Sequence, residues 1–227
     1  MGRITTVLFD LDGTLQQGDK VDVINRMWDL SNELGLGVYD VELIDVVRRT
    51  SDFREMVSDL CSLGFQRGSH ATVNEAIEWH KTNISGRYDH LIRPFPETRE
   101  VLQQLRDEGY SLGLVTTRGS NSLRRLLQSH GIGDFFGSIV SRDDCKERKP
   151  NPAPLNLALQ RFGTEYSADR AVYVGDLQTD DIGAAKNAGM IGILKGPNPP
   201  IAGNGLHIPD YHIITLRELP GVLRSIV

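Results

Sequence analysis

The chain has 227 residues, 39% of them hydrophobic and 24% charged, with a net charge of -5; this is the balance of a globular protein with a good core in one large domain or two modest ones. No basic run accompanies that negative balance, which argues against a nucleic-acid polymer as partner, and nothing in the composition points to a protein partner. The two cysteines, Cys61 and Cys145, stand far apart outside any C-x-x-C pattern, so a disulfide framework or zinc site has little support. No apolar run reaches the length of a membrane span or signal-peptide core, and Met1-Gly2 opens no myristoylation signal because Thr6 starts a buried-strand pattern; the expectation is a cytoplasmic protein without a membrane partner.

The first predicted element is a strand, Thr6-Val7-Leu8-Phe9, that ends abruptly in Asp10-Leu11-Asp12-Gly13-Thr14. Period two places both carboxylates on one side of the strand exit. Two such charges a few ångströms apart repel by roughly 4 kcal/mol at an effective dielectric near 20, so the pair asks for a cation or a shared proton. An Asp-Gly hairpin turn is the alternative, but the residues after Leu15 do not read as a returning strand.

Between Gln16 and about Leu91 the pattern changes to helical spacing without proline, with helices predicted from Val21 to Leu34, Val41 to Val47, Phe53 to Leu60 and Val73 to Ile84. This block reads as an insert at 16–91, in which Met27, Trp28, Met56 and Trp79 are assigned to a small bundle core. Arg48, Arg49 and Arg54, around an inter-helix break at Thr50-Ser51, are the insert's candidates for meeting an anionic substrate tail, with solvated helix faces as the alternative. Gln16 and Gln17 stand at the expected hinge.

Pro94-Phe95-Pro96 closes the insert, and strands and helices then alternate: a helix over 97–108 stopped by Gly109, a strand at Ser111 to Thr116, a helix around Leu123 to Leu127 and a strand at Gly137 to Val140. A helix at Leu155 to Phe162, a strand at Ala171 to Gly175 ending in Asp176, a small-residue helix over 181–188 and a strand at Ile191 to Leu194 follow. A loop from Gly196 to Pro209, a strand at His212 to Ile214 and a last helix complete the chain. That alternation means an α/β fold, a mainly parallel sheet covered on both faces, with ligands gathered beyond the carboxyl ends of its strands.

Four features stand in order: Asp10-Leu11-Asp12-Gly13-Thr14, Val115-Thr116-Thr117, Lys149-Pro150-Asn151-Pro152, and Gly175-Asp176 with Asp180-Asp181. Together they resemble the signature motifs of the haloacid dehalogenase-like superfamily, most closely its phosphoglycolate phosphatase-like members. The resemblance spans the whole chain and implies a Rossmann-like catalytic core at 1–15 and 92–227 with a helical cap at 16–91. It implies that Asp10 is the nucleophile, forming an aspartyl-phosphate, and that Asp12 is the acid and then the base. It also implies a Mg²⁺ ion held by Asp10, the Asp12 backbone carbonyl and Asp176, an all-oxygen set that suits that hard cation. Lys149, Thr116 and Thr117 would then bind the phosphate. Asp181, rather than Asp180, aligns with the family's supporting acid, which leaves Asp180 to cap the following helix.

The expected activity is therefore Mg²⁺-dependent hydrolysis of a small phosphorylated metabolite: a phosphoglycolate-like ester, a sugar phosphate or a nucleotide. A β-phosphoglucomutase-like phosphomutase shares every core motif and stands as the alternative. A dehalogenase is disfavoured by Asp12, and an idle binding module by the intact set of Asp10, Asp12, Lys149 and Asp176. No G-x-S-x-G setting is present, so a serine triad finds no support.

Overall fold

The computed structural model describes residues 3–17, 20–49, 53–84, 86–163, 166–201 and 207–226. Met1-Gly2, the Thr50-Ser51 break and residues 202–206 of the expected loop lie outside them. Contacts divide the chain into two compact units, one of residues 1–18 with 93–227 and one of residues 19–92.

In the larger unit, β1 (Thr6–Phe9), β2 (Ser111–Val115), β3 (Ser138–Val140), β4 (Ala171–Gly175), β5 (Ile191–Lys195) and β6 (Tyr211–Ile213) form one sheet in the order β3-β2-β1-β4-β5-β6. Every pairing is parallel. A central parallel strand is buried on both faces, which is why Thr6–Phe9 and Ala171–Gly175 read as unbroken runs rather than alternating ones.

Period two nevertheless sorts their side chains. Val7, Phe9, Val172 and Val174 pack on one face with Val101, Leu102 and Leu105 of a helix at Thr98–Asp107, whereas Leu8, Ala171 and Tyr173 pack on the other with Leu155, Ala158 and Leu159 of a helix at Ala153–Phe162. Gly113 of β2 lies against Leu8 and the end of that second helix: a Cβ there would lie 2.5 Å from Leu8 Cδ2 and 3.1 Å from the Phe162 ring.

The helices take the labels α1 (Lys20–Glu33), α2 (Asp40–Arg49), α3 (Phe53–Phe65), α4 (Val73–Asn83), α5 (Thr98–Asp107), α6 (Ser120–His130), α7 (Ala153–Phe162), α8 (Gly183–Asn187) and α9 (Leu219–Ser225). The expected helix over 181–188 differs in one respect. It starts as a turn of π-helix at Gln178–Ile182 before α8, and neither segment carries a side-chain cap, so Asp180 does not serve as one. A π turn widens the backbone locally, and here it brings Asp181 to a fully buried position while Asp180 stays half-buried.

The segment leaving the first motif runs beside the returning one: Gln16 bridges Pro94, Gln17 N–H donates to Arg93 O at 2.8 Å, and the Thr98 hydroxyl donates to Leu15 O at 2.6 Å.

The smaller unit is helical. Met27, Leu30, Leu43, Val46, Met56, Val57, Leu60 and Ala76 from α1 to α4 form its core. Thr72 and Glu75 start α4 with a reciprocal capping box. Trp79 packs against that core, but Trp28 is 38% exposed and corrects the expectation that it lies inside. Of the insert's arginines, Arg49 pairs with Asp59 at 3.4 Å, Arg54 donates to Asn74 at 3.2 Å, and Arg48 is exposed.

Candidate active site

Register decides what meets at the sheet's carboxyl edge. Phe9 lies opposite Leu114 on one side and Val174 on the other, so the chain leaves β1 at Asp10, β2 at Thr116 and β4 at Asp176 as neighbours. Strand order turns outward on either side of β1, which is the topological position where open parallel sheets place their chemistry.

Asp10, Asp176 and Asp181 each offer a carboxylate oxygen, all within 4.8 Å of one another. Lys149 Nζ enters this cluster, donating to Asp10 Oδ1 at 2.7 Å, Asp181 Oδ1 at 2.6 Å and the Tyr173 hydroxyl at 3.0 Å, with its own side chain only 5% exposed. Asp181 is already satisfied: Oδ1 also accepts from Tyr173 at 3.3 Å and Oδ2 from the Leu177 N–H at 2.9 Å. Two glycines make the approach of the acids possible. A Cβ on Gly13, where φ is +81°, would lie 2.2 Å from Asp176 Oδ2, and one on Gly175 would lie 2.3 Å from Asp181 Cγ.

One ammonium against three carboxylates leaves a surplus of negative charge in a buried space. Burial pushes the Asp10 carboxyl well above its usual range; Lys149 opposes this, and Asp181 and Asp176 add to it. Asp176 is raised to about 7, by burial and then by Asp181. Burial lowers the proton affinity of Lys149, but Asp10, Tyr173 and Asp181 reverse this and hold it well above the ordinary lysine range. Hard oxygen donors with uncompensated negative charge are the donor chemistry that a divalent magnesium ion takes, so the residues present fit the cation.

Asp12 faces different partners. Its Oδ2 accepts from Arg118 Nε at 2.5 Å, and its Oδ1 from Arg118 Nη2 and Gln16 Nε2, each at 2.8 Å. Thr116 is buried and its hydroxyl accepts from the Arg118 N–H at 3.2 Å, whereas Thr117 is exposed. Asp180 has no place in the cluster.

Three participants escape a reading of motifs. Tyr173 lies inside an apolar strand, and its one signal is a phenol where every neighbour is aliphatic or glycine. Arg118 follows the Thr116-Thr117 pair directly, a cation at a strand exit. Lys195 ends β5 with its ammonium donating to Gly13 O at 3.0 Å over the Phe95 ring, and burial lowers it to about 8.

A parallel α/β core that gathers acids and a lysine beyond its strand ends has the architecture of an enzyme. Residues 7–194 match the model of the haloacid dehalogenase-like hydrolase family. The pyrophosphatase PpaX of Bacillus velezensis is 32% identical over 222 residues, covering 96% of this chain and 95% of that one. A HAD phosphatase from Thermococcus onnurineus is 29% identical with a TM-score of 0.67, over 97% of this chain and 98% of its own. A predicted phosphoglycolate phosphatase from Haemophilus somnus shares the fold at a TM-score of 0.79 and 22% identity, over 98% and 99% of the two chains. The chain belongs to the haloacid dehalogenase-like hydrolase family.

Proposed function

We propose that the protein is a phosphatase that uses Mg²⁺ to hydrolyse a small phosphorylated metabolite through a phosphorylated Asp10. The observation that carries this reading is the contact of Lys149 Nζ with Asp10 Oδ1 at 2.7 Å inside an acid cluster that one ammonium does not neutralise.

Asp10 and Asp176 would hold the cation with the backbone carbonyl of Asp12, since both oxygens of Asp181 are engaged by Lys149, Tyr173 and Leu177. When bound there, Mg²⁺ supplies positive charge against the phosphoryl oxygens, which an approaching carboxylate would otherwise repel. Lys149 holds the Asp10 carboxylate in place and adds a second positive charge beside the transferred group. An Asp10 oxygen forms the bond to phosphorus as the bond to the leaving oxygen breaks, and Asp12 supplies a proton to that oxygen. Asp12 then takes a proton from water, whose oxygen attacks phosphorus, releases orthophosphate and restores Asp10. Thr116, and Thr117 at the strand exit, complete the set offered to the phosphate. Asp181 acts through Lys149, which it orients.

The helical block is read as the inserted cap of a family core. The pyrophosphatase relatives add inorganic pyrophosphate to the substrates expected from the motifs: phosphoglycolate-like esters, sugar phosphates and nucleotides. The free thiols of Cys61 and Cys145 agree with a cytoplasmic setting, and among the described residues no helix is long and apolar enough to cross a membrane. Turnover of p-nitrophenyl phosphate by the purified protein, with Mg²⁺ and with excess chelator, tests the reading. Release of nitrophenol that stops on chelation is expected, and no release in the presence of Mg²⁺ would refute it.

A further inference from the structure

Lys149 and the acid cluster account for the transferred phosphoryl group, but they leave a half-buried arginine at the same site without a role. Arg118 stands at the exit of β2 with its side chain only 15% exposed. Its fork meets both oxygens of Asp12, at 2.5 and 2.8 Å, and Nη1 donates to the Ser122 hydroxyl at a longer 3.3 Å. The backbone of Arg118 is itself tied down through Thr116. The guanidinium is thus held at a set place on Asp12, the carboxylate two residues along the chain from the nucleophile.

That place matters because Asp12 is the group assigned to the leaving oxygen. A leaving group that takes its proton from Asp12 departs beside that carboxylate, and the charged group paired with Asp12 is Arg118. A planar guanidinium fork recognises an oxyanion by two parallel hydrogen bonds, and it makes the same pair with a carboxylate of the protein as with a phosphate or carboxylate of a ligand. Gln16 donates to Asp12 Oδ1 at 2.8 Å and keeps that carboxylate held when one arm of the fork is withdrawn.

We propose that Arg118 determines specificity for the leaving group, exchanging part of its contact with Asp12 for a second oxyanion on the substrate. The protein then favours phosphate esters and anhydrides whose departing portion carries its own negative charge over those whose departing portion is neutral. This rests on the phosphatase reading above and specifies its substrate class.

The test compares kcat/KM for p-nitrophenyl phosphate, inorganic pyrophosphate and phosphoglycolate, all with Mg²⁺, in the wild type, Arg118→Met and Arg118→Lys. The first substrate has no second oxyanion, and the other two separate a phosphate from a carboxylate in that role. The wild type is expected to prefer at least one of the two over p-nitrophenyl phosphate. Arg118→Met should lower kcat/KM for the preferred substrate about 100-fold, the loss expected of one bidentate charge-assisted pair, and lower p-nitrophenyl phosphate turnover by less than about tenfold. Arg118→Lys keeps the charge without the fork and should fall between. If Arg118→Met melts below the assay temperature, Arg118→Lys carries the comparison alone, with a loss of about tenfold in the ratio of the two substrates. Parallel losses on all three substrates would show that Arg118 only holds Asp12, and an unchanged ratio, or a wild type without preference, would also overturn the proposal. A wild type inactive on p-nitrophenyl phosphate with Mg²⁺ is a separate result and would refute the phosphatase reading itself.

Discussion

Asp10 shares a buried space with two other carboxylates and a single ammonium, so the charge of its side chain and its function are separable by substitution. Asp10→Asn keeps the volume, removes the attacking oxygen and reduces the crowding of like charges. Phosphatase turnover should vanish while the thermal midpoint stays within a few degrees of wild type. Residual turnover above a percent or so, measured on p-nitrophenyl phosphate, would place the covalent step elsewhere.

Away from the site, Asp144 offers a separate test of charge. Burial raises its proton affinity, but hydrogen bonds from Arg161 at 2.6 Å and from the Ser141 hydroxyl and N–H overcome this and lower it to about 2 from the ordinary 3.8. A folded-state value below the unfolded one means stability that is full above about pH 4 and fades as pH falls through 2. The side chain is 29% exposed, so screening reduces the effect to about 1 kcal/mol. Urea titrations should show Asp144→Asn less stable than wild type by about that amount at pH 7, with the gap reduced by more than half at pH 2.5. A gap that is equal at both values would mean that the carboxylate's charge does not contribute.

At the scale of elements, the contact between β2 and α7 depends on the missing side chain of Gly113. Its absent Cβ lets Leu8 and the Phe162 ring close over the strand. Gly113→Ala would overpack this layer, and a loss of about 1–3 kcal/mol in unfolding free energy is expected, with folding retained. A neutral effect in the same titration would mean that the layer gives way locally. The π turn before α8 makes the complementary point. Helical periodicity marks 181–188 as a helix, but it does not report a one-residue widening, and that widening is what seats Asp181 beside Lys149.

For the molecule as a whole, the candidate site draws on strand exits that only folding joins, so a cation held there binds the native chain and not the unfolded one. Mg²⁺ at about a hundredfold over its dissociation constant would add about 2.7 kcal/mol, enough to raise the melting temperature by roughly 5 °C or more in a chain of this size. Scanning calorimetry should show that shift in the wild type and lose it in Asp176→Asn. An equal shift in both would put the ion at another site.

The strands, the helical block and the paired aspartates were legible because apolar periodicity and strand-end acids are local properties: Thr6–Phe9, Ala171–Gly175 and the four helices of the smaller unit lie where residue spacing puts them. The resemblance of four motifs to one family grouped Asp10, Asp12, Lys149 and Asp176. Spacing left Asp180 and Asp181 as neighbours to be chosen between, misplaced Trp28 and passed over Tyr173, because burial and side-chain direction depend on elements distant in sequence. Arg118 and Asp12 are 106 residues apart, and their pairing follows from two strands lying side by side in parallel register. Local chemistry in the sequence thus determined which groups are available. The tertiary structure alone decided which of them touch, because hydrogen bonds and ion pairs act over a few ångströms and only the packed sheet brings these groups that close.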